Sequence, residues 1–170
     1  VELIAQADAA EQAEFERATD EGLVEVLVDV VPEPAAADLG IPLAELSSAT
    51  IASLQSALPE NWSHGNPMDL IGDADAERYR AGLSACLDDE NVDGALVMLT
   101  PQAMTEPSAV ADAVVEAARG RSKPVLACWM GDASVIDGRR RLARAGIPVF
   151  RTPEPAVEMF AHVSSFYRNQ

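Results

Sequence analysis

Residues 63–75 carry the sequence Ser63-His64-Gly65-Asn66-Pro67-Met68-Asp69-Leu70-Ile71-Gly72-Asp73-Ala74-Asp75. An Asn-Pro pair, a short apolar pair and then Gly-Asp predict a turn, a brief strand over Leu70-Ile71 and the start of a helix. Asp73 is the expected N-cap, because its carboxylate can accept a hydrogen bond from a first-turn amide. The apolar residues that follow at helical spacing are Ala76, Tyr79, Leu83 and Leu87. The stretch therefore predicts a loop that leads directly into an amphipathic helix.

The start of this helix is a candidate anion site. The N–H groups of a first helical turn and the helix dipole both favour negative charge. The phosphate-facing residues that we expect here are Gly72, Asp73, Ala74 and Asp75. The loop residues expected to contact a ligand beside them are Gly65, Asn66, Asp69, Thr100, Gln102 and Gly131. The alternative is that Gly-Asp only begins a helix, and the spacing alone favours neither interpretation.

Beyond residue 74, helical and strand patterns alternate regularly. The pattern predicts, in order, a helix over about 74–88, a strand Gly94–Leu99, a helix from Ser108, a strand Val125–Met130, a helix ending at Gly146, a strand Ile147–Phe150 and a last helix from Pro153 or Pro155. Strands that are apolar on both faces and are separated by helices predict a covered parallel sheet. With right-handed crossovers, the fold class is α/β, a doubly wound parallel sheet in a flavodoxin-like three-layer sandwich. In such folds, ligands bind at the carboxyl ends of the strands.

Weaker patterns precede this region. They predict a helix over 2–18, a strand Leu23–Val31 ended by Pro32, a short helix Ala35–Leu39 and a helix Thr50–Leu58 capped by Ser47 or Ser48. The sequence contains neither an internal repeat nor a low-complexity linker.

The composition narrows the classes of function. The formal net charge is −16, which argues against binding to nucleic acid or to an acidic membrane surface. No apolar run approaches the length of about 18 residues that is typical of a transmembrane helix. Residues 119–170 hold nine of the twelve Lys and Arg, so the charge is uneven along the chain.

Cys86 and Cys128 are far apart in sequence, which predicts buried free thiols and a cytoplasmic protein.

Four groups of residues are candidates for chemistry. His64 lies in a glycine-containing loop, where a histidine can act as a nucleophile or proton carrier, although a local hydrogen bond is the commoner role. The combination Ser63/His64/Asp69 has the residue types of a triad, but sequence neighbours rarely adopt triad geometry. Three acids, Asp69, Asp73 and Asp75, have the chemistry to hold a divalent ion, but acids are common at helix starts, and we predict no metal site. A basic patch, Arg139-Arg140-Arg141 with Arg144, is either solvated or a docking face for an acidic partner.

A resemblance to a known family extends this interpretation. The run Trp62–Tyr79, which contains Ser-His-Gly-Asn-Pro-Met-Asp-Leu-Ile-Gly-Asp, resembles the second ligase domain of NDP-forming acyl-CoA synthetases. This family includes ADP-forming acetate–CoA ligase and is related to succinyl-CoA synthetase. Further segments that resemble the domain, in the family's order, are Val97–Thr105, Pro124–Gly131, Ala145–Pro153 and Phe166–Gln170. Similar segments occur in bacterial protein lysine acetyltransferases.

The resemblance implies a ligase-CoA-like domain over 44–170, with 1–43 as a divergent N-terminal helix and strand. Family members have a glycine-rich turn after the first strand, whereas here Leu23–Val31 is followed by Pro-Glu-Pro-Ala-Ala-Ala. The resemblance also implies ATP, CoA and Mg²⁺ for the full enzyme, with none bound by this chain alone. The implied partners are CoA-binding and ATP-grasp domains or subunits of the same enzyme, and homo-oligomerisation is left open.

The family carries a phosphohistidine between two sites, and helix N-termini stabilise its phosphate. The helix after Gly72 is similar to one of these helices. The family's phosphorylated histidine lies in a Ser-His-Thr-Gly segment, whereas His64 lies in Ser-His-Gly-Asn, so the role is not assigned to His64.

Two hypotheses follow. In the first, the chain is part of an ADP-forming acid–CoA ligase and is inactive by itself. In the second, it is a non-catalytic ligase-like module for regulation or assembly in a protein lysine acetyltransferase.

Overall fold

The computed structural model describes residues 26–28, 43–103 and 105–168. Four strands and five α-helices are numbered here in chain order. They are β1 (Val26–Val28), α1 (Ser48–Ala57), α2 (Ala76–Asp88), β2 (Ala95–Leu99), α3 (Pro107–Ala118), β3 (Val125–Trp129), α4 (Ile136–Arg144), β4 (Val149–Phe150) and α5 (Pro153–Arg168). A short 3₁₀ turn, Ala133–Val135, leads into α4. The predicted helices over 2–18 and Ala35–Leu39 lie outside the described residues.

The four strands form one parallel sheet in the order β1-β2-β3-β4. Ala95 pairs with Val125 at the start of the β2–β3 ladder, and Leu99 pairs with Trp129 at its end. The predicted parallel sheet is therefore confirmed, and its two apolar strands, β2 and β3, are adjacent and central in the described sheet. Of the predicted strand Leu23–Val31, the structure describes Val26–Val28, and of Ile147–Phe150 only Val149–Phe150 is paired.

Helices cover both faces of the sheet and give three layers. On one face α2 packs against α3, and α3 packs against α4, while α1 packs against α2. On the other face α5 lies across β2, β3 and β4. Side chains along β2 alternate between two cores: Val97 joins the core under α2 and α3, and Met98 joins the core under α5. This explains why all five residues of β2, and all five of β3, are buried and apolar.

The start of α2 differs from the sequence-based expectation in two ways. The N-cap is Asp75, whose side chain accepts from the Arg78 amide, so the prediction of Asp73 is wrong. Asp73 cannot serve as the cap because the helix begins only at Ala76 and the side chain of Asp73 is paired with the Arg78 guanidinium. The predicted brief strand over Leu70-Ile71 is also absent, because the Ile71 amide donates to the Asp69 carboxylate.

The remaining helix ends agree closely with the sequence. Ser47 caps α1, with its hydroxyl accepting from the Thr50 amide. Helix α3 begins at Pro107, one residue before the expected Ser108, and proline is well suited to a first helical position. Helix α4 ends in a Schellman motif, in which Gly146 has a φ of +83° and the Ile147 amide donates to the Leu142 carbonyl.

Both cysteines are buried free thiols, as predicted. Burial raises the pKa of the Cys128 thiol to about 11, and the charge of Glu154 acts in the same direction. Burial raises the pKa of the Cys86 thiol further still. Within the described residues, none of the helices is long and apolar enough to cross a membrane.

Candidate functional site

The loops that follow the strands meet at the carboxyl edge of the sheet. Strand β2 ends at Leu99 and β3 ends at Trp129, and because the strands are parallel, their following loops leave from the same edge. Helix α2 precedes β2 and runs back across the sheet, so its N-terminus lies at this edge as well. The structure therefore gathers three chain segments there: the turn before α2, the loop after β2 and the loop after β3.

Close contacts join these three segments. A Cβ atom added at Gly72 would lie 4.0 Å from the Cγ atom of Gln102, so the turn before α2 approaches the loop after β2. The Thr100 hydroxyl lies 4.0 Å from the sulfur of Met130, at the end of β3. A Cβ atom at Gly131, whose φ is +117°, would lie 3.3 Å from Pro101. Four of the predicted loop and turn residues thus lie in segments that touch one another: Gly72, Thr100, Gln102 and Gly131.

The N-terminus of α2 carries two carboxylates that already have local partners. The Asp75 carboxylate accepts from the Arg78 amide at 3.0 Å, and Asp73 pairs with the Arg78 guanidinium at 2.5 Å. The hydrogen bond from Arg78 holds the pKa of the exposed Asp73 carboxyl below its ordinary value. Asp75 therefore serves as the cap of α2, and Asp73 forms an ion pair.

The turn from Asp69 to Ala74 is tightly held. The Ile71 amide donates to the Asp69 carboxylate at 2.7 Å, and the Ala74 amide donates to the Ile71 carbonyl at 2.8 Å. Ile71 has a φ of +70°, a left-handed conformation that β-branched residues rarely adopt. Ala74 is buried, and Leu70 is buried against Gly82 of α2. The surrounding packing therefore fixes a strained turn directly before the helix, as is common near functional sites.

The other predicted residues of the opening stretch contact a different part of the chain. The Asn66 side-chain amide donates to the Ala44 carbonyl at 3.1 Å. His64 is exposed, with its Nε2 atom 2.8 Å from the Glu60 carbonyl and its ring centroid 4.8 Å from that of Trp62. Gly65 belongs to the same loop, and its carbonyl accepts from the Ser63 hydroxyl at 3.3 Å.

Two of the alternatives raised from the sequence find no support in this geometry. The Ser63 hydroxyl donates to the Pro67 carbonyl at 2.9 Å and accepts from the Asp69 amide, so its bonds are to the backbone and not to His64. Across the described part of the chain, no group of three or more His, Cys, Asp or Glu is placed to hold a metal ion. Asp69, Asp73 and Asp75 instead form separate local bonds.

The predicted basic patch divides into separate parts. Arg141 forms ion pairs with Asp112 and Asp137 on the surface of α3 and α4. Arg139 instead turns to the carboxyl edge, where its Nε and Nη2 atoms donate to the Trp129 carbonyl at 3.0 and 2.5 Å. Its Nη2 atom also donates to the Gly131 carbonyl at 2.7 Å. Arg139 is thus a site residue that sequence reasoning missed, because a run of arginines on a polar helix predicts a solvated surface or a docking face and not a bond to the end of a strand.

The charges around Arg139 are consistent with this position. Burial lowers the pKa of the Arg139 guanidinium, and the nearby charge of Arg151 lowers it further, while Asp132 opposes them. Arg151 directly follows β4, at the same edge of the sheet. Two positively charged residues, Arg139 and Arg151, therefore lie at the carboxyl edge of a chain whose net charge is strongly negative.

The N-terminus of α3 completes this edge. Its N-cap residue, Glu106, makes no side-chain capping bond, and the first turn contains no acid. The buried indole N–H of Trp129 donates to the Pro107 carbonyl at 3.3 Å, which ties the end of β3 to the first turn of α3. In the sequence, Pro107 could have indicated where α3 begins, because proline is favoured at the first position of a helix.

Comparison with known proteins shows the family of this domain. The model of the Ligase-CoA domain family matches residues 22–168. The chain belongs to the Ligase-CoA domain family. The Ligase-CoA match includes β1, all of the segments at the carboxyl edge and α5.

Individual relatives of this Ligase-CoA domain are ligases. Acetate–CoA ligase [ADP-forming] I of Archaeoglobus fulgidus is 38% identical over 128 residues, which cover 75% of this chain and 18% of that protein. The alpha subunit of acetate–CoA ligase [ADP-forming] II of Pyrococcus furiosus is 34% identical over 120 residues, covering 68% of this chain and 26% of the subunit. The chain therefore spans about a fifth to a quarter of the length of these relatives.

Solved structures share the fold. The apo form of dinucleotide forming acetyl-coenzyme A synthetase 1 from Ca. Korarchaeum cryptofilum superimposes with a TM-score of 0.79 at 28% identity, covering 87% of this chain and 34% of that one. The same synthetase in complex with phosphate and ADP gives the same values. The resemblance to NDP-forming acyl-CoA synthetases inferred from the sequence is confirmed. The named relatives are ligases, so they support the first of the two hypotheses; the resemblance to acetyltransferases has no support among them.

Proposed function

We propose that this Ligase-CoA domain works within an ADP-forming acid–CoA ligase, which joins a carboxylic acid to CoA as ATP is converted to ADP and phosphate. The observation that carries the proposal is the family match over residues 22–168, supported by relatives named as ADP-forming acetate–CoA ligases. The chain spans only a part of each relative, so the remaining steps are assigned to other domains or subunits. The partners that we propose are a CoA-binding and an ATP-grasp unit.

The task proposed for this domain is to stabilise a phosphohistidine supplied by another part of the enzyme. The N-terminus of α2, after Gly72, carries the positive end of a helix dipole at the carboxyl edge of the sheet. Asp75 turns back onto the Arg78 amide, and Arg78 neutralises Asp73, which reduces the repulsion of a phosphate. The first turn of α3, which contains no acid, lies at the same edge.

ATP, CoA and Mg²⁺ are proposed for the complete enzyme. Among residues 26–28, 43–103 and 105–168 no Mg²⁺ ligand is proposed, because no three or more acids, histidines or cysteines lie together there. When bound elsewhere, ATP supplies the phosphoryl group and CoA supplies the thiol. The N-termini of α2 and α3 then orient the phosphorylated histidine.

A reconstitution experiment tests the proposal. The 170-residue chain is purified and supplied with acetate, CoA and ATP, first alone and then with the CoA-binding and ATP-grasp units of the same enzyme. We expect ADP and acetyl-CoA to form only in the complete mixture, and a mixture without this chain is the control. Turnover by the isolated chain would contradict the division of labour. An inactive complete mixture, tried with several short carboxylic acids, would contradict the ligase function.

A further inference from the structure

The end of β3, the first turn of α3 and the first turn of α4 form one packed junction. The Trp129 indole donates to the Pro107 carbonyl, and a Cβ atom at Gly138 would lie only 2.8 Å from that same oxygen and 3.0 Å from the indole nitrogen. Position 138 therefore requires glycine, because a side chain would push α4 away from α3. This close approach brings the next residue, Arg139, to the carboxyl end of β3.

Arg139 binds the backbone on both sides of the end of β3. Its guanidinium donates to the carbonyl of Trp129, the last residue of the strand, and to the carbonyl of Gly131, in the following loop. A charged donor forms a strong hydrogen bond to a backbone carbonyl, so the guanidinium is a strong partner for these two oxygens. These three hydrogen bonds to two carbonyls hold the chain where it leaves the sheet.

The loop after β3 lies against the loop after β2. Gly131 has a φ of +117° and lies directly against Pro101, which belongs to the loop after β2. Thr100 contacts Met130 in the same junction, and Gln102 lies beside Gly72. A contiguous set of contacts therefore runs from Arg139 through the two loops to the turn before α2.

We propose that Arg139 is a positioning residue, which holds the loops after β2 and β3 together and so sets the geometry of the carboxyl edge for the acyl-CoA-forming reaction. The role in catalysis rests on the proposed function, whereas the effect on the two loops does not. Arg139 acts through the backbone carbonyls that it binds, and it need not touch the reacting groups.

Three variants of the full enzyme test this role. Arg139→Gln removes the charge and the forked donor, while Arg139→Lys retains a positive charge and three N–H donors. Arg140→Gln removes the same charge from the adjacent, exposed residue and is the matched control. Amide hydrogen exchange over residues 100–103 and 130–134 and the kinetics of acyl-CoA formation are measured for each.

We expect Arg139→Gln to speed exchange in both loops by roughly tenfold to a hundredfold, the scale for losing hydrogen bonds to a charged group. The value of kcat should fall by about tenfold or more with KM nearly unchanged, because misplacement affects the transition state more than substrate binding. Arg139→Lys should restore most of both quantities, and Arg140→Gln should match wild type. Unchanged exchange in the amides of β2 and β3 shows that Arg139→Gln is folded.

Three results would overturn the proposal: unchanged exchange in both loops, faster exchange at 130–134 alone, or a lysine variant as impaired as the glutamine variant. If wild type forms no acyl-CoA, the proposed function fails. The exchange data then still decide whether Arg139 holds the two loops together.

Discussion

The carboxylate of Asp89 accepts a hydrogen bond from the backbone amide of Ser47 at 2.8 Å, across 42 residues of sequence. Ser47 is the N-cap of α1 and Asp89 is the C-cap of α2, so this bond joins the start of one helix to the end of the other. Asp89 also accepts from the Asn91 amide at 2.9 Å, and only 3% of it is exposed. A single buried carboxylate thus ties α1 to the rest of the fold.

The first prediction concerns Asp89 and pH. Burial by itself raises the pKa of Asp89, but hydrogen bonds from Asn91, Thr50 and Ser47 outweigh burial and hold the pKa below its ordinary value. A carboxyl with a lowered folded-state pKa stabilises the fold above its unfolded pKa of about 3.9, and this contribution is lost as the pH falls through the folded value. Asp89→Ala should lower the free energy of unfolding at pH 7 by about 2–4 kcal/mol.

Urea denaturation at pH 7, 5 and 3 checks this prediction. The difference between wild type and Asp89→Ala should shrink toward pH 3, because the carboxyl of the unfolded chain takes up a proton below its pKa of about 3.9 while the folded carboxyl stays ionised to lower pH. Asp93→Ala, a change at an exposed position nearby, is the control and should have little effect. A difference that stays constant with pH would show that the charge of Asp89 is unimportant.

A second prediction concerns the central strand. Val97 is fully buried in β2, between α2 and α3 on one side of the sheet. Val97→Asp should prevent soluble expression, because an unpaired buried carboxylate costs several kcal/mol. Val97→Ala is the control, and it should fold with a loss of roughly 2 kcal/mol. The yield of soluble protein and urea denaturation are the measurements, and a soluble, stable Val97→Asp variant would count against a buried central strand.

A third prediction tests the N-terminus of α2. Ala76 is the first residue of the helix and Asp75 before it is extended, so Ala76→Pro is compatible with the backbone and removes one first-turn N–H. In the complete enzyme, the phosphohistidine level should fall by up to about thirtyfold, since a charge at a helix terminus is stabilised by about 0.3–2 kcal/mol. Ser48→Pro makes the same change at the first residue of α1 and is the matched control. Equal phosphoenzyme levels in Ala76→Pro and wild type would leave α2 with a structural role only.

A fourth prediction concerns His64. Its ring is exposed, lies against Trp62 and is bonded to the Glu60 carbonyl, an arrangement that suits a loop contact. In the complete enzyme, His64→Ala should leave histidine phosphorylation close to the wild-type level, as should the control His162→Ala. Phosphoenzyme is measured by acid-labile radiolabel from ATP. Its complete loss in a folded His64→Ala variant would identify His64 as the phosphate carrier.

Much of the fold was predictable because strand and helix patterns reflect burial. Strands β2 and β3 are buried on both faces, so their continuous apolar sequences identify them and predict a covered parallel sheet. The start of α2 was harder to predict, since Asp73 and Asp75 are both suitable caps and the sequence does not show that Asp73 pairs with the Arg78 side chain while Asp75 binds the Arg78 amide.

The candidate site was predictable only in part. A parallel sheet places Thr100, Gln102 and Gly131 at one edge, which sequence alone implies. The position of Arg139 depends on the close approach of α4 to α3 at Gly138, a tertiary contact with no local signal. Asn66 and His64 were grouped with the site because they are close in sequence, yet their bonds go to Ala44 and Glu60.

The order of the strands in the sheet, which is also their order in the chain, has a consequence for folding. Pairing Ala127 with Val149 or Ala95 with Val125 closes a loop of about 20–30 residues, whereas pairing Val26 with Ala95 closes about 70, at an added entropic cost near 1 kcal/mol. We therefore expect β2, β3 and β4 to assemble first and β1 to join them last. In pulse-labelled hydrogen exchange during refolding, amides of β3 should be protected before those of β1. The addition of β1 would then complete a sheet whose nucleus is built from β2, β3 and β4.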